Sequence, residues 1–158
     1  MSARSRGGDR GPDVIAPPPL LFLMPLLAGL ALDRLLPLPR LPRAVRPLGA
    51  PLVAGGAGLG VWFFTTMQRA GTPVDPREAP TRLVAEGPFT LTRNPGYVAM
   101  CLVYSGLSLL FGGRWPLLLL PGALIAVDRG AISREERYLQ QHFGAPYAAY
   151  RSRVRRWL

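Results

Sequence analysis

Hydrophobic and polar positions alternate along this chain in long blocks rather than in short amphipathic stripes. Between polar stretches rich in proline and glycine, apolar blocks cover residues 17–32, 48–67, 97–111 and 115–127. The second block has twenty residues without a charge, which is about the length that crosses the hydrocarbon core of a bilayer. The first block has thirteen uninterrupted apolar residues, so its helix is expected to include the flanking prolines and Asp33 and Arg34. The pattern predicts an all-α integral membrane protein with about four transmembrane helices.

The stretches between the blocks predict how the helices are connected. Four prolines fall within residues 35–47, so this segment is interpreted as a linker or a surface-lying segment and not as a regular helix. The turn Gly-Gly-Arg at residues 112–114 is so short that the third and fourth helices are expected to form an antiparallel hairpin. In the second block, Gly56 and Gly60 lie four apart and form a small face that another helix can approach closely. A ligand-facing groove is the alternative interpretation of that face.

The region after the fourth block is polar and predicts two further helical segments. The first continues to Gly144, a residue typical of helix ends. Beyond it, Tyr147, Tyr150 and Trp157 together with several arginines suit a cytoplasmic amphipathic helix that lies at the lipid headgroups. In domain terms, residues 1–13 are expected to be a disordered cytoplasmic tail and residues 14–158 a single membrane-embedded domain.

Composition and charge predict the orientation of these helices. Hydrophobic residues make up 49% of the chain and charged residues 18%, and all 19 basic residues are arginines, for a formal net charge of +10. The arginines lie between apolar blocks and not along one face, which favours anchoring at anionic headgroups over nucleic-acid binding. With four spans, 14 arginines fall on the side of the polar loop at residues 68–94 and five on the other side. This asymmetry predicts an integral protein of a bacterial-type inner or plasma membrane with both termini in the cytoplasm.

The stretch GPFTLTRNPGY, residues 87–97, is the first candidate for chemistry. The predicted topology brings it to the same membrane face as the acidic sequence that begins at Ser133. Within it, Asn94 could cap a helix that starts at Pro95, and this structural role does not exclude ligand binding.

The acidic sequence after the fourth block is the second candidate. Asp128 and Glu135 are seven apart and share a face of a helix, where they could form a polar cup opposite residues 93–97. The alternative is that Glu135 and Glu136 make ordinary surface ion pairs with the neighbouring arginines at 134 and 137. No set of cysteine and histidine residues has metal-ligand spacing, so no metal site is predicted.

The order LVAEGPFTLTRNPGYVA, an apolar hairpin and then REERYLQQHFGAPYAAYRSRVRRWL resembles the isoprenylcysteine carboxyl methyltransferase and phospholipid methyltransferase superfamily. The resemblance covers about residues 71–158. It implies an integral membrane methyltransferase that uses S-adenosylmethionine, with a cofactor-binding core in that range. Matched position by position, it implies that the cofactor-binding residues are Thr81, Arg82, Leu83, Val84, Phe89, Asn94, Pro95, Gly96, Tyr97, Glu135 and Glu136. No catalytic residue is assigned.

Three departures from the family pattern concern the site. Phe89 stands where the eukaryotic enzymes have tyrosine, so it cannot donate the hydrogen bond of a hydroxyl. Asn94 replaces a histidine, which keeps hydrogen bonding to a cofactor but removes a titrating group. Ala131 stands where the family has a substrate-side arginine, and Arg129 or Arg134 could replace it. The candidate substrate-binding residues are Arg93 and Arg129.

The resulting hypothesis is methyl transfer from S-adenosylmethionine to a lipophilic acceptor: a prenylcysteine-like carboxylate, a phospholipid amine or a small thiol. Such a transfer needs alignment and a water-poor site more than a strong acid or base. Tyr97 is then a candidate cation–π partner for a sulfonium, and Glu135 a candidate acceptor for ribose or amino donors. Two alternatives stay open, namely a nicotinamide-dependent enzyme similar to sterol reductases and a non-enzymatic helical membrane scaffold. The expected partners are membrane lipids and a lipophilic substrate, without nucleic acid, and the oligomeric state is left open.

Overall fold

The computed structural model describes Pro12 and residues 16–158, so the tail predicted at residues 1–13 lies outside the described residues except for Pro12. Helices joined by irregular segments make up the described chain, and the all-α prediction is confirmed. The main helices are α1 Pro18–Leu35, α2 Gly49–Arg69, α3 Pro95–Phe111, α4 Trp115–Val127, α5 Ser133–Phe143 and α6 Ala145–Arg153.

Helix length and composition support a membrane location. In the described part of the chain, three helical stretches are long and apolar enough to cross a membrane, namely Pro18–Leu35, Arg43–Arg69 and Trp115–Phe143. The remaining apolar helix, α3, is shorter, with 17 residues. Large apolar side chains such as Met24, Trp62 and Leu118 point outwards, which suits helices that face lipid and would be unfavourable in water.

Prolines set where α1 begins and how the chain leaves it. Pro18 lies in the first turn of α1, where a missing N–H costs little, and the helix continues past Asp33 and Arg34. Residues 36–42 are irregular, and the 3-10 helix Arg43–Leu48 then leads directly into α2. The connection is thus partly a linker and partly a short helix, because its prolines interrupt the α-helical hydrogen bonds.

Glycines allow α2 and α3 to pack backbone against backbone. A Cβ atom added at Gly56 of α2 would lie 2.8 Å from the carbonyl oxygen of Ala99 in α3. At Gly106 of α3, an added Cβ would lie 2.7 Å from the carbonyl oxygen of Gly49. A Cβ atom added at Gly60 would lie 3.8 Å from the Ala99 methyl group, which is an ordinary contact distance. The predicted close packing is therefore confirmed at Gly56, whereas Gly60 lines a cavity, as the alternative interpretation expected.

The third and fourth helices turn back on each other as predicted, but each pairs mainly with another helix. Gly112, with φ +67°, ends α3 in the left-handed conformation that opens the tight turn. Beyond the turn, α4 packs chiefly on α1, whereas α3 packs chiefly on α2. The carboxylate of Asp33 in α1 accepts hydrogen bonds from the backbone N–H groups of Arg114 and Trp115, both at 3.3 Å. Asp33 therefore caps α4 from a different helix.

Replacing Asp33 by alanine should lower the stability of the fold by about 1 kcal/mol, because two N–H groups at the start of α4 lose their acceptor. Asp33→Asn keeps an acceptor oxygen and should retain most of that stability. Thermal unfolding of the purified protein in detergent would measure both variants. Equal unfolding midpoints for Asp33→Ala and the unmodified protein would contradict the capping role.

The fourth helix continues beyond the apolar block. It passes through one π-helical turn, Asp128–Ile132, into α5, which ends at Gly144 as predicted. In α6, Tyr147 and Tyr150 are only 1% and 4% exposed. The prediction that these tyrosines lie at the lipid headgroups is therefore wrong, because α6 turns them inwards against the rest of the chain.

The hydrophobic core joins α1, α3 and the π-helical turn. Phe22 of α1 packs edge-on against Tyr104 of α3, with ring centroids 6.3 Å apart. Val127 and Ala131 belong to the same cluster and are fully buried. A residue as large as arginine has no room at position 131. The alanine that stands there in place of the arginine of the family pattern packs as part of the core.

Candidate functional site

A cavity of about 610 Å³ opens at the end of the bundle where α3 begins and α5 runs out from α4. Its walls come from α2, α3, α5 and α6 and from the long segment between α2 and α3. Small-molecule sites in proteins have volumes of roughly 300–1,000 Å³, so the cavity has the size of such a site. The expectation that residues 87–97 and the acidic sequence meet at one end of the protein is confirmed by this arrangement.

The segment between α2 and α3 is fastened at both its ends. Near its start, the backbone N–H of Thr81 donates to the Thr72 hydroxyl at 3.1 Å, and the Thr81 hydroxyl donates to the Gly71 carbonyl at 2.9 Å. Near its end, the Phe89 ring lies 5.7 Å from the Phe63 ring of α2. These contacts hold residues 72–84 over the cavity as one of its walls.

The residues just before α3 are fixed by the chain that follows α6. The Thr92 hydroxyl donates to the carbonyl oxygen of Arg156 at 2.8 Å, and the Asn94 side-chain amide donates to the same oxygen at 3.0 Å. The backbone N–H of Arg93 donates to the Arg155 carbonyl at 2.9 Å. Asn94 does occupy the position before α3 and Pro95 the first turn, but the Asn94 side chain makes no cap hydrogen bond. Its amide is used instead to bind a distant backbone.

The two adjacent glutamates have different environments. Glu135 accepts a hydrogen bond from the Tyr97 hydroxyl at 2.7 Å, and among the described residues it has no arginine at ion-pair distance. Glu136 lies between two guanidinium groups, 2.9 Å from Arg93 and 2.5 Å from Arg156. Its side chain is 8% exposed and that of Arg93 is 9% exposed. Glu136 is therefore paired with two arginines, whereas Glu135 faces the cavity with the Tyr97 hydroxyl as its hydrogen-bond partner and without a cationic partner among the described residues.

The π-helical turn explains which acidic residues share a face. The sequence predicted Asp128 with Glu135, but the structure pairs Asp128 with Glu136 through Arg156, which is 3.1 Å from Asp128. A π-helical turn takes up an extra residue, so it moves the residue eight positions on into the place that position seven has in a regular helix. The alternative of ordinary surface ion pairs is also wrong for Glu136, because its partners come from distant parts of the chain and its side chain is buried.

Burial and pairing set the protonation of the groups around the glutamates. The carboxylate of Glu136, which accepts its hydrogen bonds, raises the pKa of the Arg156 guanidinium above its ordinary value. Burial raises the pKa of Tyr147 to about 12 and also raises the pKa of Tyr150. Both tyrosines therefore keep neutral hydroxyls at physiological pH, and that of Tyr150 donates to the Phe89 carbonyl at 2.8 Å.

Most of the residues selected from the sequence line one cavity. Those in its wall are Arg82, Leu83, Val84, Phe89, Arg93, Asn94, Pro95, Gly96, Tyr97, Glu135 and Glu136. Thr81 is outside the wall, where it fastens the segment to residues 71 and 72. Arg129 lines a different groove, on the other side of α3, beside Trp157. The structure thus separates Arg129 from the other candidates.

Several lining residues were missed by the sequence analysis. Phe63 and Met67 of α2 lie four apart and share a helix face, and Tyr147 and Tyr150 of α6 lie three apart and do the same. From this spacing, the sequence could have predicted that the two members of each pair lie side by side. The sequence alone gave no signal for the contacts of Arg156, because they join residues 20 to 64 positions apart.

These features define a helical membrane protein with a small-molecule cavity at one end of its bundle. Residues 45–146 match the family model of phospholipid methyltransferases, and the chain belongs to this family. It is accordingly a membrane methyltransferase, and the resemblance inferred from the sequence is confirmed. No curated protein and no solved structure matches the chain. The matched range contains the cavity residues of α2, α3 and α5 and ends before Tyr147, Tyr150 and Arg156.

Proposed function

We propose that the protein transfers a methyl group from S-adenosylmethionine to a lipophilic acceptor, and that the cavity holds the methyl donor. The observation that carries this proposal is the Glu135 carboxyl group in the cavity wall. Glu135 is a half-buried lining carboxylate without a cationic partner among the described residues. A carboxylate in that position favours a ligand with positive charge, such as a sulfonium with its amino group.

The lining arginines argue in the same direction. Arg77 pairs with Asp75 at 2.6 Å, Arg82 with Glu86 at 3.1 Å, and Arg93 with Glu136 at 2.9 Å. Each guanidinium is thus already matched by a carboxylate within the described chain. A phosphate-rich nicotinamide cofactor would have to compete with those carboxylates, which favours the methyltransferase over the reductase alternative.

The other cavity residues fit the remaining parts of S-adenosylmethionine. Phe63 and Phe89 offer aromatic faces for a flat base, and Val84 and Leu83 add apolar wall. The neutral hydroxyls of Tyr147 and Tyr150, which also line the cavity, do not oppose a cation. When bound, S-adenosylmethionine supplies an electrophilic methyl group on a sulfonium sulfur.

The protein's own contribution is binding, alignment and exclusion of water. Glu135 attracts and orients the positive end of the ligand, and Tyr97 fixes the Glu135 carboxylate through its hydroxyl. Tyr97 is 6% exposed, so the contact lies away from bulk water, where electrostatic attraction is stronger. Apolar helices around the cavity mouth suit an acceptor that arrives from the bilayer.

Isothermal titration of the purified, detergent-solubilised protein with S-adenosylmethionine and, separately, with NADPH tests the proposal. We expect saturable binding of S-adenosylmethionine and none of NADPH, because the wall offers an unpaired carboxylate and paired arginines. Binding of NADPH alone would favour the reductase alternative. Binding of neither would favour the scaffold.

A labelled-methyl transfer assay then identifies the acceptor class. Native membrane lipids, a prenylated cysteine analogue and a small thiol are offered as acceptors with the labelled donor. Label in the lipid or prenyl fraction is the expected result, and label confined to the small thiol would exclude the carboxylate and the phospholipid amine as acceptors. Label in none of the three fractions would overturn the proposed acceptor classes.

A further inference from the structure

The segment after α6, residues 154–158, lies against the beginning of α3. Three donors from residues 92–94 meet two of its backbone carbonyl oxygens, those of Arg155 and Arg156, at distances of 2.8–3.0 Å. Thr92 is fully buried and Asn94 is 7% exposed, so these hydrogen bonds lie inside the protein. Asn94 belongs to the stretch that resembles the family's cofactor segment, and it lines the cavity.

The side chain of Arg156 holds the opposite wall. Its guanidinium donates to both oxygens of Asp128, at 3.1 and 3.2 Å, and to both oxygens of Glu136. A guanidinium can form two such forked interactions because it has five N–H donors in a fixed plane. Arg156 therefore connects the end of α4, the start of α5 and the residues that precede α3.

The charges around Arg156 show what this connection does for the cavity. Arg93 and Arg156 carry two positive charges, and Asp128 and Glu136 carry two negative ones, so the cluster is neutral. Its Arg93 and Glu136 side chains are buried, whereas those of Arg156 and Asp128 are about one third exposed. Without Arg156, one arginine would face two carboxylates beside Glu135. The carboxylates would then repel one another, and both Glu136 and the neighbouring Glu135 would be free to move.

We propose that Arg156 is a positioning residue of the methyl-donor site: its guanidinium holds Glu136 in place, so that Glu135 is the carboxyl group presented to the ligand. Asn94 is held by the backbone carbonyl of residue 156, a contact that every residue type at this position can make. This inference rests on the proposed function. It extends the site beyond the family match, which ends at residue 146. Arg156 is not one of the lining residues, so the effect of its guanidinium on a ligand is exerted through Glu136.

The experiment measures the affinity of the full chain for S-adenosylmethionine by isothermal titration, with the unfolding midpoint of the ligand-free protein recorded beside it. Arg156→Ala should bind ~10- to 100-fold more weakly than the unmodified protein, since small displacements of binding groups have effects of this order. Arg153→Ala is the matched control, because Arg153 is exposed and, among the described residues, donates its side-chain hydrogen bond within α6, to the Ala149 carbonyl. It should bind like the unmodified protein.

A second substitution separates positioning from general damage to the fold. If Arg156 acts by neutralising Glu136, the double variant Arg156→Ala, Glu136→Gln should bind at least threefold more tightly than Arg156→Ala. A purely structural role predicts that the second substitution weakens binding further. That result, or an Arg156→Ala affinity within twofold of the unmodified protein, would overturn the proposal.

If the alanine variant does not fold, Arg156→Lys tests the positioning role of Arg156 instead. Lysine keeps the charge but cannot span two carboxylates with a planar fork, so a folded Arg156→Lys variant should bind several-fold more weakly. Unchanged affinity in that variant would refute the positioning role. Failure of the unmodified protein to bind S-adenosylmethionine is a separate result, which would refute the proposed function.

Discussion

Replacing Glu135 by glutamine should weaken binding of S-adenosylmethionine by about 100-fold while the protein still folds. The substitution keeps the shape of the side chain but removes the carboxyl group that can carry a negative charge opposite a bound cation. A hydrogen bond to a charged group contributes about 1.5–3 kcal/mol, and a 100-fold change in affinity corresponds to about 2.7 kcal/mol. Since Glu135 has no cationic partner among the described residues, its removal leaves no buried arginine without a counter-charge.

Titration calorimetry in detergent would measure this loss directly. Arg153→Ala is the control here as well, because Arg153 is exposed and lies outside the cavity wall. Tyr97→Phe removes only the hydroxyl that orients Glu135 and should cause a smaller loss than Tyr97→Ala, which also removes the ring. Affinity within threefold of the unmodified protein in folded Glu135→Gln would show that this carboxylate does not bind the donor.

Gly56→Leu should prevent stable folding, with a loss above about 3 kcal/mol. A Cβ atom at position 56 would lie 2.8 Å from the Ala99 carbonyl oxygen and 2.9 Å from the Val103 backbone nitrogen. Backbone atoms cannot rotate away as a side chain can, so α2 and α3 would have to separate. Inserting side-chain volume in a well-packed core usually costs about 1–3 kcal/mol even where the neighbours are flexible.

Gly58→Leu is the control for this prediction. Gly58 is exposed in the same helix, and nothing lies within 4 Å of an added Cβ. Both substitutions replace glycine by leucine and gain about the same helix propensity, roughly 0.8 kcal/mol. The difference between their unfolding midpoints in detergent therefore reports the contact with α3. Similar midpoints would mean that the two helices do not pack through Gly56.

The helices could be predicted from the sequence because the bilayer imposes a simple rule on each of them. A long uncharged block must satisfy its backbone hydrogen bonds internally, so the blocks that became α2 and α4 could be located without knowledge of their neighbours. The ends were predictable for the same local reasons. Pro95 lies in the first turn of α3, and Gly144 follows the last turn of α5.

The arrangement within the site could be predicted only in part. Topology predicted that the stretch around Tyr97 and the two glutamates lie at the same end of the protein. In the structure the Tyr97 hydroxyl lies 2.7 Å from a carboxylate oxygen of Glu135. The different environments of Glu135 and Glu136 depend on Arg93 and Arg156, which reach them from distant parts of the chain. Such pairings follow from packing in three dimensions and leave no periodic signal in the sequence.

The inward position of Tyr147 could not be predicted from the sequence for a similar reason. An aromatic residue beside arginines is typical of a membrane interface, and the same residue types are typical of a cavity wall next to a buried ion pair. The choice between these depends on the direction in which α6 leaves Gly144, with φ +57°. That direction depends on the local backbone angles at Gly144, which cannot be inferred from amino-acid composition.

The π-helical turn at residues 128–132 allows the chain to lose one residue there, but not to gain one, without moving the acidic residues apart. Loss of one residue there would convert the π-helical turn to regular α-helix. Asp128 and Glu136 would then be seven positions apart and would still point to the same side of the helix. Gain of one residue would rotate all of α5 by about 100° relative to α4 and direct Glu135 away from Tyr97. Related chains that preserve this site should therefore differ in length at this turn by a deletion and not by an insertion.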